Sequence, residues 1–388
     1  MRLLGQWGRV IIAGAVAAGA VLAVSVAPAA ADPPGTAIDV VPQPAGWHGV
    51  AGSSIIDYWT SESNGTPQRA SGALFVPPGP APAGGWPIMA YDHGTSGLGP
   101  NCGGVSDPAT RVLTWGAEDQ VLRYFVSRGF AVVAPDYLGL GRFDTGPHPY
   151  LELKSEATAT IDLVRAARAT HPALSRTWAV MGESQGGQAA LGTAHLQRTY
   201  APDLDFRGVI TLDPASDLED VLPAAGPWVP NIPGSGGNDA TGYIAMILVG
   251  LRETHPEVNV DSYLSPRGRE LVDGIGGLCL RDIVSRAHGA SIGDLLSRQL
   301  TTPAFHTALA SYMAVPTSGY NAPILLLTNA TDTQVPSPLH AALAAQFAAN
   351  GVDFRTVVGT GQHCDISPQM WSAIAAFDTR ILSTPTKP

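Results

Sequence analysis

The strongest constraint on this fold is an alternation of apolar β-rich runs and amphipathic helical stretches, joined by short connections. Residues 130–134 are apolar without a break, as a strand buried on both faces requires. Residues 155–169 place Ile161, Leu163, Val164 and Ala167 at helical positions, with Ser155 able to cap the start. A strand over 177–181, a helix over 185–199 and a strand over 207–212 follow. Strands and helices alternating this closely predict right-handed crossovers and a mostly parallel sheet flanked by helices.

The same reading extends in both directions. Residues 54–59 and 70–76 form a pair of strands about a turn at Asn64-Gly65-Thr66-Pro67, and 87–91 is the next strand. Helical spacing over 118–128 closes at Gly129. After Pro214 the alternation lapses, and it resumes with a strand at 323–327, a helix at 339–349, a strand at 354–358 and a helix at 368–381. One sheet domain in two parts is therefore expected, 32–213 and 321–388, interrupted by an inserted cap over 214–320. Within the cap, residues 243–251 are a hydrophobic run that suits either core packing or a lipid-facing flap.

Composition narrows the function. With 45% hydrophobic and 14% charged residues, the chain can bury a core that needs no metal or disulfide. The net charge of −10 and the absence of any basic run argue against nucleic acid as a partner. Residues 1–31 read as an export signal: Arg2 and Arg9 precede an apolar stretch over 10–26, and Ala29-Ala30-Ala31 is a small-residue cleavage site. A retained membrane anchor is the alternative for that segment. The three cysteines, Cys102, Cys279 and Cys364, allow one disulfide in an exported chain, and spacing does not select the pair. No metal-ligand spacing of the Cys-x-x-Cys or His-Glu-x-x-His kind occurs, so no cofactor or metal is expected.

Gly-x-Ser-x-Gly occurs twice, which means little by itself in a chain with 44 glycines. Context separates the copies. Ser184 follows an apolar strand directly and precedes a helix of small residues, Gly186, Gly187, Ala189, Ala190 and Gly192. Strand, tight turn and helix lift a serine hydroxyl clear of the backbone and set it near a helix N-terminus. Ser291 in Gly289-Ala290-Ser291-Ile292-Gly293 has no preceding strand and falls in the cap. A helix N-cap is the ordinary alternative role for a serine so placed.

A serine hydroxyl needs an oriented base to act as nucleophile, and after such a turn the acid and then the histidine follow in chain order. Asp332, five residues past the strand at 323–327, and His363, just after the last strand, satisfy order and placement. Asp353 and Asp365 are less well placed rivals, and an Asx turn beside Pro336 is the plain alternative for Asp332. His340 starts a helix face, His195 lies on the helix after the nucleophile, and His171, His255, His288 and His306 suit surface or cap positions. An oxyanion would be held by the backbone N–H of Gln185 and by Thr95 in Asp92-His93-Gly94-Thr95, although Gly94 also fits a simple turn.

Taken together, His93-Gly94-Thr95, Asp136-Tyr137-Leu138-Gly139-Leu140-Gly141 leading to His148-Pro149-Tyr150, the Ser184 turn and the Asp332 and His363 loops resemble the secretory lipase family of α/β-hydrolases. The likeness covers most of the chain after about Ala45. It implies an α/β-hydrolase fold with a helical lid, hydrolysis of acylglycerols or other carboxylic esters, and no metal. It also implies a Cys102–Cys279 disulfide, leaving Cys364 free beside His363. An ester or lipid substrate is then the expected partner, with transient lipid contact through the lid. A peptidase of the same fold, an acyltransferase acting on cell-envelope lipids and a non-catalytic binding protein are the competing classes.

Overall fold

A computed structural model describes residues 31–46, 48–105, 115–230 and 237–383. The export signal expected over 1–31 lies, but for its last residue, outside them. From Asp32 onward the described residues form one compact unit.

The chain opens with three antiparallel strands, β1 (Ala37–Gln43), β2 (Ser53–Ser61) and β3 (Pro67–Phe75). It continues through β4 (Trp86–Asp92), α1 (Trp115–Ser127), β5 (Ala131–Pro135), α2 (Leu153–Thr170), β6 (Leu174–Glu183), α3 (Gln185–Tyr200) and β7 (Asp205–Leu212). The helices α4 (Leu218–Val221), α5 (Gly237–Thr254), α6 (Pro266–Ile275), α7 (Leu280–Ala287), α8 (Ile292–Leu295) and α9 (Pro303–Met313) then lie between β7 and the return to the sheet. That return runs β8 (Ile324–Asn329), α10 (Ser337–Ala349), β9 (Phe354–Gly359) and α11 (Pro368–Ser383).

The nine strands form one sheet in the order β1-β2-β3-β5-β4-β6-β7-β8-β9. From β5 to β9 every neighbouring pair is parallel. Side chains alternate between two apolar layers, as strand geometry requires. Ile88 and Ala90 of β4 face a layer completed by Ile161, Leu191 and Phe347 of α2, α3 and α10. Met89 and Tyr91 face the opposite layer, closed by Phe125 of α1 and Phe377 of α11. The chain leaves β4 on one side for β5 and crosses back to β6 on the other. The carboxyl ends of β4 and β6 therefore flank a switch point, where open α/β sheets bind ligands.

The helices between β7 and β8 pack around an apolar cluster that also takes in Leu98, Tyr150, Leu151 and Val335 from loops of the sheet. The hydrophobic run at 243–251 lies in α5, where Ala245, Met246, Leu248 and Leu251 are fully buried, so most of it is internal packing. Cys102 and Cys279 are disulfide-bonded, tying the loop after β4 to the start of α7, and Cys364 is free. Two local expectations change. Strand β1 was not anticipated, because an edge strand with mostly half-exposed positions and Pro42 in it has little apolar pattern. Ser155 does not cap α2: Glu152 holds that position, and the Ser155 hydroxyl donates back to the Glu152 carbonyl. No helix among the described residues is long and apolar enough to cross a membrane.

Candidate active site

Ser184 sits between the last residue of β6 and the first of α3 with φ +55° and ψ −118°, a conformation side chains rarely adopt. The flanking glycines permit it. A Cβ on Gly182 would lie 2.0 Å from the Gly186 carbonyl oxygen, and one on Gly186 would lie 1.9 Å from that of Asp92. Ser184 occupies the N-cap position of α3, yet its side chain makes no capping bond. Its Oγ lies instead 2.8 Å from His363 Nε2. Ser291 contrasts directly: it caps α8 in a reciprocal capping box with Asp294.

His363 and Asp332 come from the loops after β9 and β8, and His363 Nδ1 lies 2.6 Å from Asp332 Oδ2. A donor at Nδ1 leaves the Nε2 lone pair facing the serine hydroxyl, the tautomer a general base requires. Asp332 also makes the expected turn: Oδ1 accepts from the backbone N–H groups of Gln334 at 2.8 Å and Val335 at 3.2 Å. Burial pushes its carboxyl up, but hydrogen bonds from His340 and His363 outweigh this and hold it well below the usual carboxylate range. The rivals are elsewhere. Asp353 precedes β9 and pairs with Arg380, while Asp365 accepts from the Gln362 backbone N–H within its own loop.

Two residues at this site were not singled out by sequence. His340, on the first turn of α10 and 2% exposed, places Nε2 3.1 Å from Asp332 Oδ2. Its position eight residues after Asp332, at the start of the next helix, is the only sequence signal it offers. Asp213, at the end of β7 with φ +42°, accepts from the Asn329 backbone N–H, the Asn329 amide and the Cys364 backbone N–H. One carboxylate thereby ties the ends of β7 and β8 to the histidine loop. Asp213, Asp332 and His340 bring ligand-type atoms within 4.8 Å of one another. Oxygens on both carboxylates are already occupied by N–H donors, so the cluster reads as a hydrogen-bond network before a metal centre.

Across from the imidazole, the loop after β4 carries His93, Gly94 and Thr95. The Gly94 N–H donates to Glu118 Oε1 at 3.1 Å and so faces away from the serine. The backbone N–H groups of Thr95 and Gln185 find no acceptor among the described residues. Both residues are held from behind. Thr95 Oγ1 lies 3.0 Å from the Tyr150 hydroxyl. The Gln185 amide donates to His148 Nε2 and to Glu156 Oε1, each at 2.7 Å. Burial pushes His148 down to about 4, so its neutral ring donates from Nδ1 to the Leu138 carbonyl and accepts at Nε2. Beneath the turn, burial pushes the carboxyls of Glu183 and Glu118 up, and each acts on the other.

A cavity of about 380 Å³ opens on Ser184 and His363. Its walls are largely apolar, with Leu218, Leu222, Tyr243, Ile244 and Ile247 among them. Val221 lines it while remaining 48% exposed, and Trp228, next to the lining Val229, is 62% exposed.

A hydroxyl, an imidazole and a carboxylate brought into reach at the carboxyl end of a mostly parallel sheet define the chain as an α/β-hydrolase. The chain belongs to the secretory lipase family, whose sequence model matches residues 106–386. Two curated relatives are similar to it. One, from Mycobacterium tuberculosis and named a probable inactive lipase, is 24% identical over 81% of this chain and 68% of its own. The other, a secreted triacylglycerol lipase of Malassezia furfur, is 26% identical over 44% of this chain and 30% of its own. Among solved structures, Candida antarctica lipase A superposes with a TM-score of 0.71 at 19% identity, over 92% of this chain and 84% of that one. The rice cell wall degrading esterase LipA of Xanthomonas oryzae gives 0.66 at 20% identity, over 90% and 97%.

Proposed function

We propose that this protein is an exported carboxylic-ester hydrolase that works through an acyl-enzyme, with Ser184 as nucleophile, His363 as general base and Asp332 as orienting acid. The observation that carries the reading is the unbroken chain of contacts from Ser184 Oγ to His363 Nε2 at 2.8 Å and from His363 Nδ1 to Asp332 Oδ2 at 2.6 Å. Ser184 attacks the ester carbonyl as His363 takes its proton. The tetrahedral oxyanion is held by the N–H groups of Thr95 and Gln185, each such donor being worth about 3 kcal/mol in the transition state. His363 then protonates the leaving alcohol and activates water for deacylation, while Asp332 fixes the tautomer.

The apolar cavity fits an aliphatic acyl chain, and the segment over 214–320 serves as the cap that shapes it. With most of the α5 run buried, transient contact with a lipid surface falls to the exposed Val221 and Trp228. Residues 1–31 direct export and are removed after Ala31, in keeping with the family and the disulfide.

The name of the M. tuberculosis relative belongs to that protein; in this chain the three side chains are present and mutually bonded. Ser184→Ala should lower turnover of a p-nitrophenyl ester by about 10⁶-fold with the fold intact, and the wild-type serine should be labelled by a fluorophosphonate. Persistent turnover in the alanine variant would overturn the assignment.

A further inference from the structure

Asp332 Oδ2 receives two imidazoles, and only one of them reaches the serine. His340 approaches from α10 with Nε2 3.1 Å from that oxygen, while Asp213 Oδ1 lies farther off at 3.6 Å and already accepts the Asn329 N–H. The ring is 2% exposed, and its Nδ1 is buried with no hydrogen-bonding partner among the described residues. A ring so placed carries its hydrogen on Nε2, where two carboxylates face it.

We infer that His340 is a positioning residue for the reaction: its Nε2–H holds Asp332 in place and shares the oxygen that supports His363. This rests on the reading of Ser184, Asp332 and His363 given above. A carboxylate oxygen accepting two N–H bonds divides its negative charge between them. His340 therefore keeps Asp332 ionised through the catalytic cycle and tempers its pull on the His363 proton. It also stops the carboxylate from rotating away when the imidazole turns toward substrate. The titratable groups facing the two imidazoles are Asp332, Asp213, Asp217 and the Cys364 thiol.

Two replacements separate this role from space filling. His340→Phe keeps the ring and loses the donor; His340→Gln loses the ring and keeps an amide N–H near the place of Nε2. With the donor gone, Asp332 Oδ2 accepts from His363 alone, and the acid limb of kcat/KM should move up by about 1 pH unit in His340→Phe. His340→Gln should restore the wild-type limb. The NMR resonance of the His363 Nδ1 proton should shift in the phenylalanine variant and return in the glutamine variant, and it is read with or without turnover. If the ring merely fills space, phenylalanine is silent in both readouts and glutamine is the damaging change, and the inference falls. If Ser184→Ala retains wild-type turnover, the reading of the site falls instead, and the proton resonance still reports whether His340 acts on the Asp332–His363 bond.

Discussion

Asp332 accepts four N–H bonds, two at each oxygen. Gln334 and Val335 donate to Oδ1, and His340 and His363 donate to Oδ2. An asparagine there has no harmless orientation. With its amide nitrogen in place of Oδ2 it opposes two imidazole donors; flipped, it opposes two backbone N–H groups. The cheapest relief is for His363 to change tautomer, which removes the lone pair from the serine side. Asp332→Asn should therefore lower kcat by about 10⁴-fold with little change in KM, measured on a soluble ester; a loss of under tenfold would show that the carboxylate does not set the tautomer. The approach of Ser184, Asp332 and His363 to one another was legible because each follows a recognisable strand, where only a few residues compete for such a position. His340 and Asp213 were not. A single histidine on a helix and an aspartate ahead of a proline have many structural uses, and only the convergence of three loops distinguishes theirs.

At the scale of elements, the parallel strands were readable because burial on both faces leaves no polar alternation to confuse with a surface helix. Helices α2, α3 and α11 were readable from their 3.6-residue period, to within a few residues at their ends. The segment between β7 and β8 was not resolved into elements beforehand: α4 and α8 have four residues each, too short to show a period. That segment meets the loop after β4 through main-chain bonds as well as the disulfide. The Leu98 N–H donates to the Leu278 carbonyl and the Leu280 N–H to that of Ser96. The Cys102–Cys279 link closes a separation of 177 residues, which the chain-entropy description values at about 5 kcal/mol. Replacing both cysteines with alanine should lower Tm by several degrees in calorimetry. Ester turnover at low temperature should survive, because the backbone bonds still hold the loop that carries Thr95. Loss of turnover with an unchanged Tm would mean that the disulfide acts on the site and not on the fold.

For the whole molecule, the buried carboxyl groups set how stability responds to pH. Burial raises Asp162 to about 7 and Asp378 to about 6, and it raises Asp92 and Glu156 as well. Each then holds in the folded state a proton that the unfolded chain has released, so its contribution to stability is complete below the ordinary carboxylate range and is lost as pH rises through the folded value. His148, lowered to about 4 by burial, and His93, lowered for the same reason, work the other way: the unfolded chain takes up their protons first, and stability falls as pH drops below the usual histidine value of about 6.5. Asp332, held low by its donors, loses its contribution only in strong acid. Above the histidine range the carboxyl groups act unopposed, and just below it the raised carboxyl groups, Glu219 at about 7 among them, outnumber the lowered rings of His148, His93 and His195. Tm should therefore be higher at pH 6 than at pH 8, measured by calorimetry. Asp162→Asn isolates one of these groups. Its amide can still accept from Thr60 and Tyr200, which bond the present carboxylate, but it has no proton to exchange. The variant should flatten the fall in Tm between pH 5 and pH 7, and an unchanged slope would show that Asp162 titrates where an exposed aspartate does.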